Sequence, residues 1–139
     1  MRPLLLLLPL LVAAGSCRPA PAEPATLILW AWERPEDLRF AGSAAEVAVQ
    51  TGFVELAGQR IVSRGRRFPL KVSASPSTAV VHIQIDHDRP LDWSPMLRER
   101  VAAAVLHHAR AIPAGRVQID FEVRRSERQV LLDLLHDVR

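Results

Sequence analysis

Two acidic residues, Asp120 and Glu122, lie two positions apart in the stretch "RVQIDFEV" near the end of the 139-residue chain. Side chains at positions i and i+2 of a β-strand project to the same side, with Cα atoms about 6.6 Å apart. Such closeness makes simultaneous ionisation costly, which can keep one carboxyl protonated for general-acid catalysis. The sequence therefore predicts a catalytic pair, with Glu122 as the proton donor and Asp120, deeper in the strand, as its orienting or charge-balancing partner.

A second acidic pair, Asp86 and Asp88, ends the alternating stretch "AVVHIQIDHD". In a (β/α) barrel the inward side chains near the carboxyl ends of the strands can be polar, because the substrate sits there. If both stretches are barrel strands, the two acidic pairs converge at one mouth. Gln118 on the later strand, together with Trp32 and Glu33 at the end of the first strand, completes the set of candidate substrate-binding residues.

Two other interpretations of these polar residues are open. An antiparallel sheet with one solvent-exposed face produces the same alternation, and the carboxylates on that face are then merely solvated. The stretch "HIQIDHD" also offers metal-ligating side chains, but His82 and His87 lie on opposite faces of an extended strand. We therefore predict no metal site. The sequence has no Gly-rich phosphate loop and no nucleophile elbow, and we predict no cofactor.

The elements that must position these residues alternate between strand and helix. Short apolar or alternating segments predict four strands, at residues 25–33, 46–52, 79–88 and 116–123. The second strand is followed by β-rich pieces with Gly58 and Gly65 where turns would fall, so a hairpin is expected there. This order favours an α/β fold with parallel strands and a β-hairpin insertion after the second strand.

Three helices are expected between and after the strands. In "RPEDLRF", Pro35 is suited to the first helical position. Residues 96–111 are amphipathic and follow Ser94, a good N-cap, and Pro95. The sequence "SERQ" has the form of a capping box, in which Ser126 bonds forward and the glutamine bonds back, and an apolar stripe follows it.

The N-terminus has the layout of a secretory signal. A basic start, an apolar run and small residues precede Cys17, and the run is shorter than the about 20 apolar residues that span a bilayer. We assign residues 1–17 to the signal and Cys17 to lipidation; ordinary cleavage nearby is the alternative, since Ala14 stands where lipoprotein signals most often have Leu. Residues 18–25, rich in Pro and Ala, predict a tether to the membrane. The folded domain is then 26–139, exported to the cell envelope, either lipid-anchored or periplasmic or extracellular.

The charge of the chain excludes one class of partner. Lys and Arg total 18 and Asp and Glu total 15, which is not the asymmetry expected of a nucleic-acid-binding protein. The local cluster of Arg60, Arg64, Arg66 and Arg67 is typical of a solvated hairpin face. We therefore predict no nucleic-acid partner.

Several segments resemble a family of exported bacterial proteins. The segments "LILWAWERPEDLRF", "RGRRFPLKV", "VVHIQID" and "VQIDFEVRRSERQVLLDLL" resemble the N-terminal half of domain of unknown function 3142, and the resemblance covers nearly all of the chain after the tether. Members of that family look like TIM-barrel proteins related to glycoside hydrolases. The piece "IDFE" is also similar to the end of the strand-four signature of family-eighteen chitinases. That similarity implies Glu122 as proton donor and Asp120 as assisting aspartate, whereas Gln118 stands where the signature has an earlier aspartate.

The expected fold is about half of a TIM-type (β/α) barrel, because a full barrel has eight strand–helix units and typically about 250 residues. Either the chain is a truncated reading frame, or two copies close the ring as a homodimer. The expected function is that of a glycoside-hydrolase-like protein that acts on or binds carbohydrate. The alternatives are a non-catalytic envelope lipoprotein that binds glycan or a protein partner, and a barrel fragment without independent activity.

Overall fold

The computed structural model describes residues 26–139, so the predicted signal (1–17), Cys17 and the tether (18–25) lie outside the described residues. The regular elements are, in chain order, β1 (Ile28–Ala31), β2 (Glu46–Ala57), β3 (Arg60–Gly65), β4 (Thr78–Ile85), α1 (Pro95–Ala109), β5 (Arg116–Phe121) and α2 (Arg128–Asp137). Short 3₁₀ helices lie at Arg39–Ala41 and Arg125–Glu127.

The strands form one mixed sheet in the order β1–β2–β4–β5, in which each neighbouring pair is parallel. Strand β3 runs antiparallel to β2 and forms with it the hairpin that the sequence predicts after the second strand. Gly58 lies in the two-residue turn of this hairpin with a φ of 62°, a left-handed conformation that favours glycine. The α/β class with a parallel-strand sheet is confirmed.

The predicted helix in "RPEDLRF" is wrong. The chain there is irregular and ends in the 3₁₀ helix Arg39–Ala41. Carboxylates of the segment accept nearby backbone N–H groups. The Glu36 carboxylate accepts the Trp32 N–H at 3.1 Å, and the Asp37 carboxylate accepts the Arg39 N–H at 3.2 Å. Such local bonds offer the backbone an alternative to a helix.

The two longer helices begin in different ways. The Ser94 Oγ accepts the Leu97 N–H at 3.4 Å, so the predicted N-cap of α1 is confirmed. The predicted Ser126 cap of α2 is wrong, because Ser126 lies inside the 3₁₀ helix that precedes α2. The Glu127 carboxylate instead accepts the Arg124 N–H at 2.7 Å and closes that turn.

Strand β2 is the centre of the sheet and changes its partner along one edge. Its first part pairs with β1 over Glu46–Val49, and its later part pairs with β3 over Gly52–Ala57. Strand β4 occupies one edge of β2 along residues 48–56. The strands β1 and β3 must therefore share the other edge of β2. The register with β4 shifts between Gln50 and Gly52, where the change of partner occurs. Pairing with β3 explains why β2 continues beyond its predicted end at residue 52.

Arg66 occupies the junction where β2 changes its partner. Its backbone N–H donates to the Thr51 oxygen at 3.1 Å. Its guanidinium Nη1 donates to the carbonyl oxygens of Ala31 and Trp32, at 3.1 and 2.6 Å, and reaches that of Gln50 at 3.5 Å. These carbonyls lie at and beyond the end of β1, so one side chain binds backbone groups at the point where the β1 pairing stops.

One face of the sheet carries the main core. Alternate residues of β2 and β4 point toward α1 and α2, whose apolar stripes cover them. The buried side chains of this layer are Val54, Leu56, Val81, Ile83, Ile85, Leu97, Val101, Ala102, Val105 and Leu134.

We call the opposite side, on which no helix of residues 26–139 packs, the open face of the sheet. By strand alternation it carries the side chains of Trp30, Gln50, Phe53, Arg64, His82, Gln84, Gln118 and Asp120. Its content is mainly polar and aromatic, in contrast to the aliphatic helix-covered face.

Gly52 lets helix α1 approach β2 closely. A Cβ added at Gly52 would lie 2.1 Å from Cγ of the His108 ring. His108 is 4% exposed, and its Nε2 lies 2.7 Å from the Ser63 Oγ. Burial, and then the neighbouring His107, lower the pKa of His108, so the packed ring is neutral at physiological pH.

We expect Gly52→Ala to destabilise the fold by about 2 kcal/mol, because the ring and the helix behind it must shift to admit a methyl group. Denaturant unfolding of the two proteins measures this difference. Gly115→Ala is the matched control, since nothing lies within 4 Å of a Cβ built there. An equal effect of the two substitutions would contradict the close-approach argument.

Candidate functional site

A histidine–carboxylate pair bridges two neighbouring strands on the open face. His82 on β4 and Asp120 on β5 are direct partners in the parallel register. The His82 Nδ1 lies 2.8 Å from the Asp120 Oδ2, and the two side chains are 22% and 27% exposed. A hydrogen bond to a carboxylate fixes the orientation and tautomer of an imidazole, so the pair is a preorganised unit.

An aromatic ring and a guanidinium extend this pair across the sheet. Phe53 on β2 stacks against His82 with ring centroids 5.4 Å apart and an interplanar angle of 16°. The Arg64 guanidinium on β3 lies over the Phe53 ring, 4.5 Å from the ring centroid. Cation–π attraction of this kind holds both groups in place.

Glu33, in the segment after β1, completes the arrangement. Its carboxylate accepts from Arg64 Nη1 at 2.7 Å and from the Arg67 N–H at 2.8 Å, and its own N–H donates to the Gln50 Oε1 at 3.1 Å. Burial raises the pKa of Glu33, but the Arg67 N–H and the charges of Arg64 and Arg67 outweigh burial and lower the pKa overall. We use the term polar row for this continuous set: Asp120, His82, Phe53, Arg64 and Glu33.

A groove of about 540 Å³ lies at the carboxyl ends of β4 and β5, beside the polar row. We call it the β4–β5 groove. Its polar lining consists of His82, Gln84, His87, Glu122 and Arg124, and its apolar lining of Ile83, Ile85 and Val123. In open parallel sheets, ligands bind at this end of the strands.

The two acidic residues that the sequence pairs make different contacts in the structure. Asp120 is bonded to His82 and does not line the groove. Glu122 follows the end of β5, is exposed, and lines the groove. Within residues 26–139, Glu122 makes no side-chain hydrogen bond or ion pair. The partner of Asp120 therefore comes from the adjacent strand, and Glu122 presents its carboxyl to the groove.

The second predicted acidic pair lies in the turn after β4. The Asp86 Oδ1 accepts the Asp88 N–H at 3.0 Å, and the Asp86 Oδ2 lies 3.8 Å from Arg89 Nε. Asp88 is exposed. Neither aspartate lines the β4–β5 groove, and this turn geometry is the ordinary use of an aspartate that follows a strand.

The remaining predicted site residues lie at or near the open face. Gln118 is exposed on β5, two residues before Asp120. The ring of Trp32 lies 5.1 Å from that of Trp30, in a tilted arrangement. Glu33 belongs to the polar row, where it bonds Arg64 rather than the β4–β5 groove.

The sequence analysis missed three members of the polar row. His82 was considered only as a metal ligand, and Phe53 and Arg64 were not singled out as site residues. The useful signal was the alternation of β4, because it places His82 on the same face as Gln84. Its partner could be chosen only once the register between β4 and β5 was known.

The described part of the chain offers no metal centre. In residues 26–139, no three His, Cys, Asp or Glu residues form a group that could hold a metal ion. Neither of the helices in this range has the length and apolar character needed to cross a membrane.

Comparison of the chain with protein-family models, curated proteins and solved structures finds no match. The resemblance to domain of unknown function 3142 is therefore still a prediction. The site has to be interpreted from its own geometry.

We expect Glu33 to stabilise the fold in a pH-dependent way. Its folded pKa is below the ordinary value of 4.5, so the stabilising charge is present above that value and is lost as pH falls through the folded pKa. Glu33→Gln should therefore lower the melting temperature more at about pH 7 than at about pH 3.

The control for this measurement is Glu99→Gln. Glu99 is exposed on α1 and, within residues 26–139, makes no ion pair. Its substitution should change the melting temperature little, and equally, at both pH values. A pH-independent effect of Glu33→Gln would contradict a stabilising role for the Glu33 charge.

Proposed function

We propose that this chain is an exported, glycoside-hydrolase-like protein that binds carbohydrate in the β4–β5 groove, with Glu122 as the general acid. The observation that carries the proposal is the position of Glu122 in a groove at the carboxyl ends of two adjacent parallel strands. Active sites of (β/α) barrels and of open α/β sheets lie at this end.

The lining of the groove supports this proposal. A leaving oxygen needs a proton donor, and the exposed Glu122 makes no side-chain bond within residues 26–139 that would hold it away from a ligand. Gln84 and Arg124 add an amide and a guanidinium that can bond sugar hydroxyls. Val123, which is half-buried, supplies apolar surface for the hydrophobic side of a sugar ring, whereas Ile83 and Ile85 lie in the core beneath the groove.

We further propose that the four parallel strands are one half of a TIM-type barrel. Barrel strands point their interior side chains away from the helices, and the open face carries polar and aromatic residues on that side. The segment between β1 and β2 departs from a regular unit, since it contains only a 3₁₀ helix. A second copy of the chain, or further sequence, would supply the other strands.

Export is part of the same proposal and rests on the sequence. The layout of residues 1–17 supports a secretory signal, and Cys17 supports a lipid anchor in the cell envelope.

One observation favours a second candidate function, carbohydrate binding without catalysis. Asp120 is bonded to His82, so Glu122 lacks the carboxyl partner that the sequence pattern gives it. The same groove would then bind a glycan without cleaving it.

Glu122→Gln separates the two candidates. The full chain and the variant are incubated with soluble chitin fragments, glucan, xylan and polygalacturonate. Release of reducing ends measures cleavage, and affinity electrophoresis measures binding. If Glu122 is the general acid, the substitution lowers cleavage by about 100-fold or more and leaves binding in place, because glutamine keeps the shape but has no acidic proton.

Glu99→Gln, on the helix-covered side, is the matched control and should keep both properties of the parent. Binding without cleavage in the parent would favour the second candidate. If the parent neither binds nor cleaves any of the four glycans, the carbohydrate proposal fails for these substrate classes.

A further inference from the structure

We propose that His82, positioned by Asp120, is the second proton-transferring group of the β4–β5 groove and acts as the general base opposite Glu122. This inference rests on the proposed function, since it assigns a further role within the same site. Instead of two acidic residues along β5, the acid and the base are Glu122 and His82, which both line the groove.

The first step concerns which groups a ligand can reach. His82 and Glu122 both line the groove, whereas Asp120 does not. Asp120 is bonded to Nδ1 of His82 at 2.8 Å. The other ring nitrogen, Nε2, has no hydrogen-bond partner within residues 26–139 and is therefore the atom of this pair left for a ligand or a water molecule.

The second step concerns the tautomer of the ring. An ionised carboxylate has only acceptor sites, so the Nδ1 must carry the proton that it donates to Asp120. In a neutral imidazole, Nε2 is then the acceptor. Asp120 thus selects the form of His82 that can take a proton, and it stabilises the imidazolium that results.

The third step concerns the rigidity of the ring. Phe53 stacks against His82 at 5.4 Å, and Phe53 is itself covered by Arg64 at 4.5 Å, which Glu33 holds at 2.7 Å. Stacking on Phe53 therefore fixes the plane of the imidazole ring, and the bond to Asp120 fixes the orientation of the ring within that plane. A base held in one orientation does not lose catalytic efficiency to rotation of the side chain.

The reaction that this arrangement supports is a single displacement by water. The water oxygen forms a bond to the anomeric carbon and gives a proton to His82 Nε2, while the glycosidic bond breaks and the leaving oxygen takes the proton of Glu122. The products are a free sugar end, an imidazolium and a carboxylate, and exchange with solvent returns both protons. Such an acid–base pair on opposite sides of the bond inverts the anomeric configuration.

Several charged and titratable groups lie around His82. They are Asp120 on β5, Glu55 on the same face of β2, Arg64 beyond Phe53, and Glu122, Arg124 and His87 in the groove. A pH profile of activity therefore reports the whole set, and a measurement on the imidazole itself is needed.

The first test is the tautomer of His82 in the full chain, read from long-range ¹H–¹⁵N correlations of labelled histidine at neutral pH. We expect the Nδ1–H form in the parent protein. Asp120→Leu should shift His82 toward the Nε2–H form, because leucine offers no acceptor that keeps the proton on Nδ1. An Nε2–H form in the parent, or no change in the variant, would overturn the proposal, and neither result depends on any glycan.

The second test is kinetic and uses whichever of the four glycans the parent cleaves. His82→Gln and Asp120→Asn should each lower kcat by about 100-fold with little change in KM, because a base acts in the transition state and not in ground-state binding. His136→Gln is the matched control, since the His136 side chain is 86% exposed on α2 and does not line the groove. Melting curves establish that each variant folds.

The outcomes separate this inference from the proposed function. If both His82→Gln and Asp120→Asn still cleave the glycan, the proposed role of His82 is overturned and that of Glu122 is not. Absence of cleavage in the parent overturns the catalytic roles of both Glu122 and His82. Formation of the opposite anomer to the one predicted, namely retention instead of inversion, overturns the single-displacement step.

Discussion

The structure depends on a single guanidinium at the point where β2 exchanges one partner for another. Parallel pairing with β1 ends there, antiparallel pairing with β3 begins, and backbone carbonyls are left between the two ladders. Arg66 donates to several of them, including those of Ala31 and Trp32. Because Glu33 directly follows Trp32, this contact also sets where the Glu33 carboxylate lies. Nε and Nη2 of the same guanidinium donate to the carbonyl oxygens of Phe68 and Arg34, at 2.8 and 3.4 Å, and the single ammonium group of a lysine has no planar fork to match this spread of acceptors.

The order of the polar row follows from strand register. Phe53, His82 and Asp120 are direct partners across three neighbouring strands. That register is fixed from the other side of the sheet, since a slip of one residue would turn the aliphatic side chains of β4 away from α1 and α2. The core thus specifies which polar groups meet on the open face, although no core residue belongs to the row.

The sequence predicts the parts of this protein that depend on local pattern. Hydrophobic periodicity identifies β4, β5 and α1, and Ser94 identifies the start of α1. The segment "RPEDLRF" fails because its carboxylates bind nearby backbone N–H groups, which helix signals do not reveal. The bond between His82 and Asp120 joins residues 38 positions apart, so its prediction would require the strand register. The pattern along β5 indicates Glu122 and Asp120 as a candidate pair, whereas the hydrogen bond of Asp120 is made to His82 on the neighbouring strand.

Two consecutive residues of β2 connect the two sides of the sheet. Gly52 faces α1, where its missing side chain leaves room for the His108 ring, and Phe53 faces the open side, where its ring lies between Arg64 and His82. A single peptide unit therefore joins the packing of a helix to the platform beneath an imidazole. A backbone shift that makes room for a side chain at Gly52 therefore also moves the Phe53 ring on the opposite face.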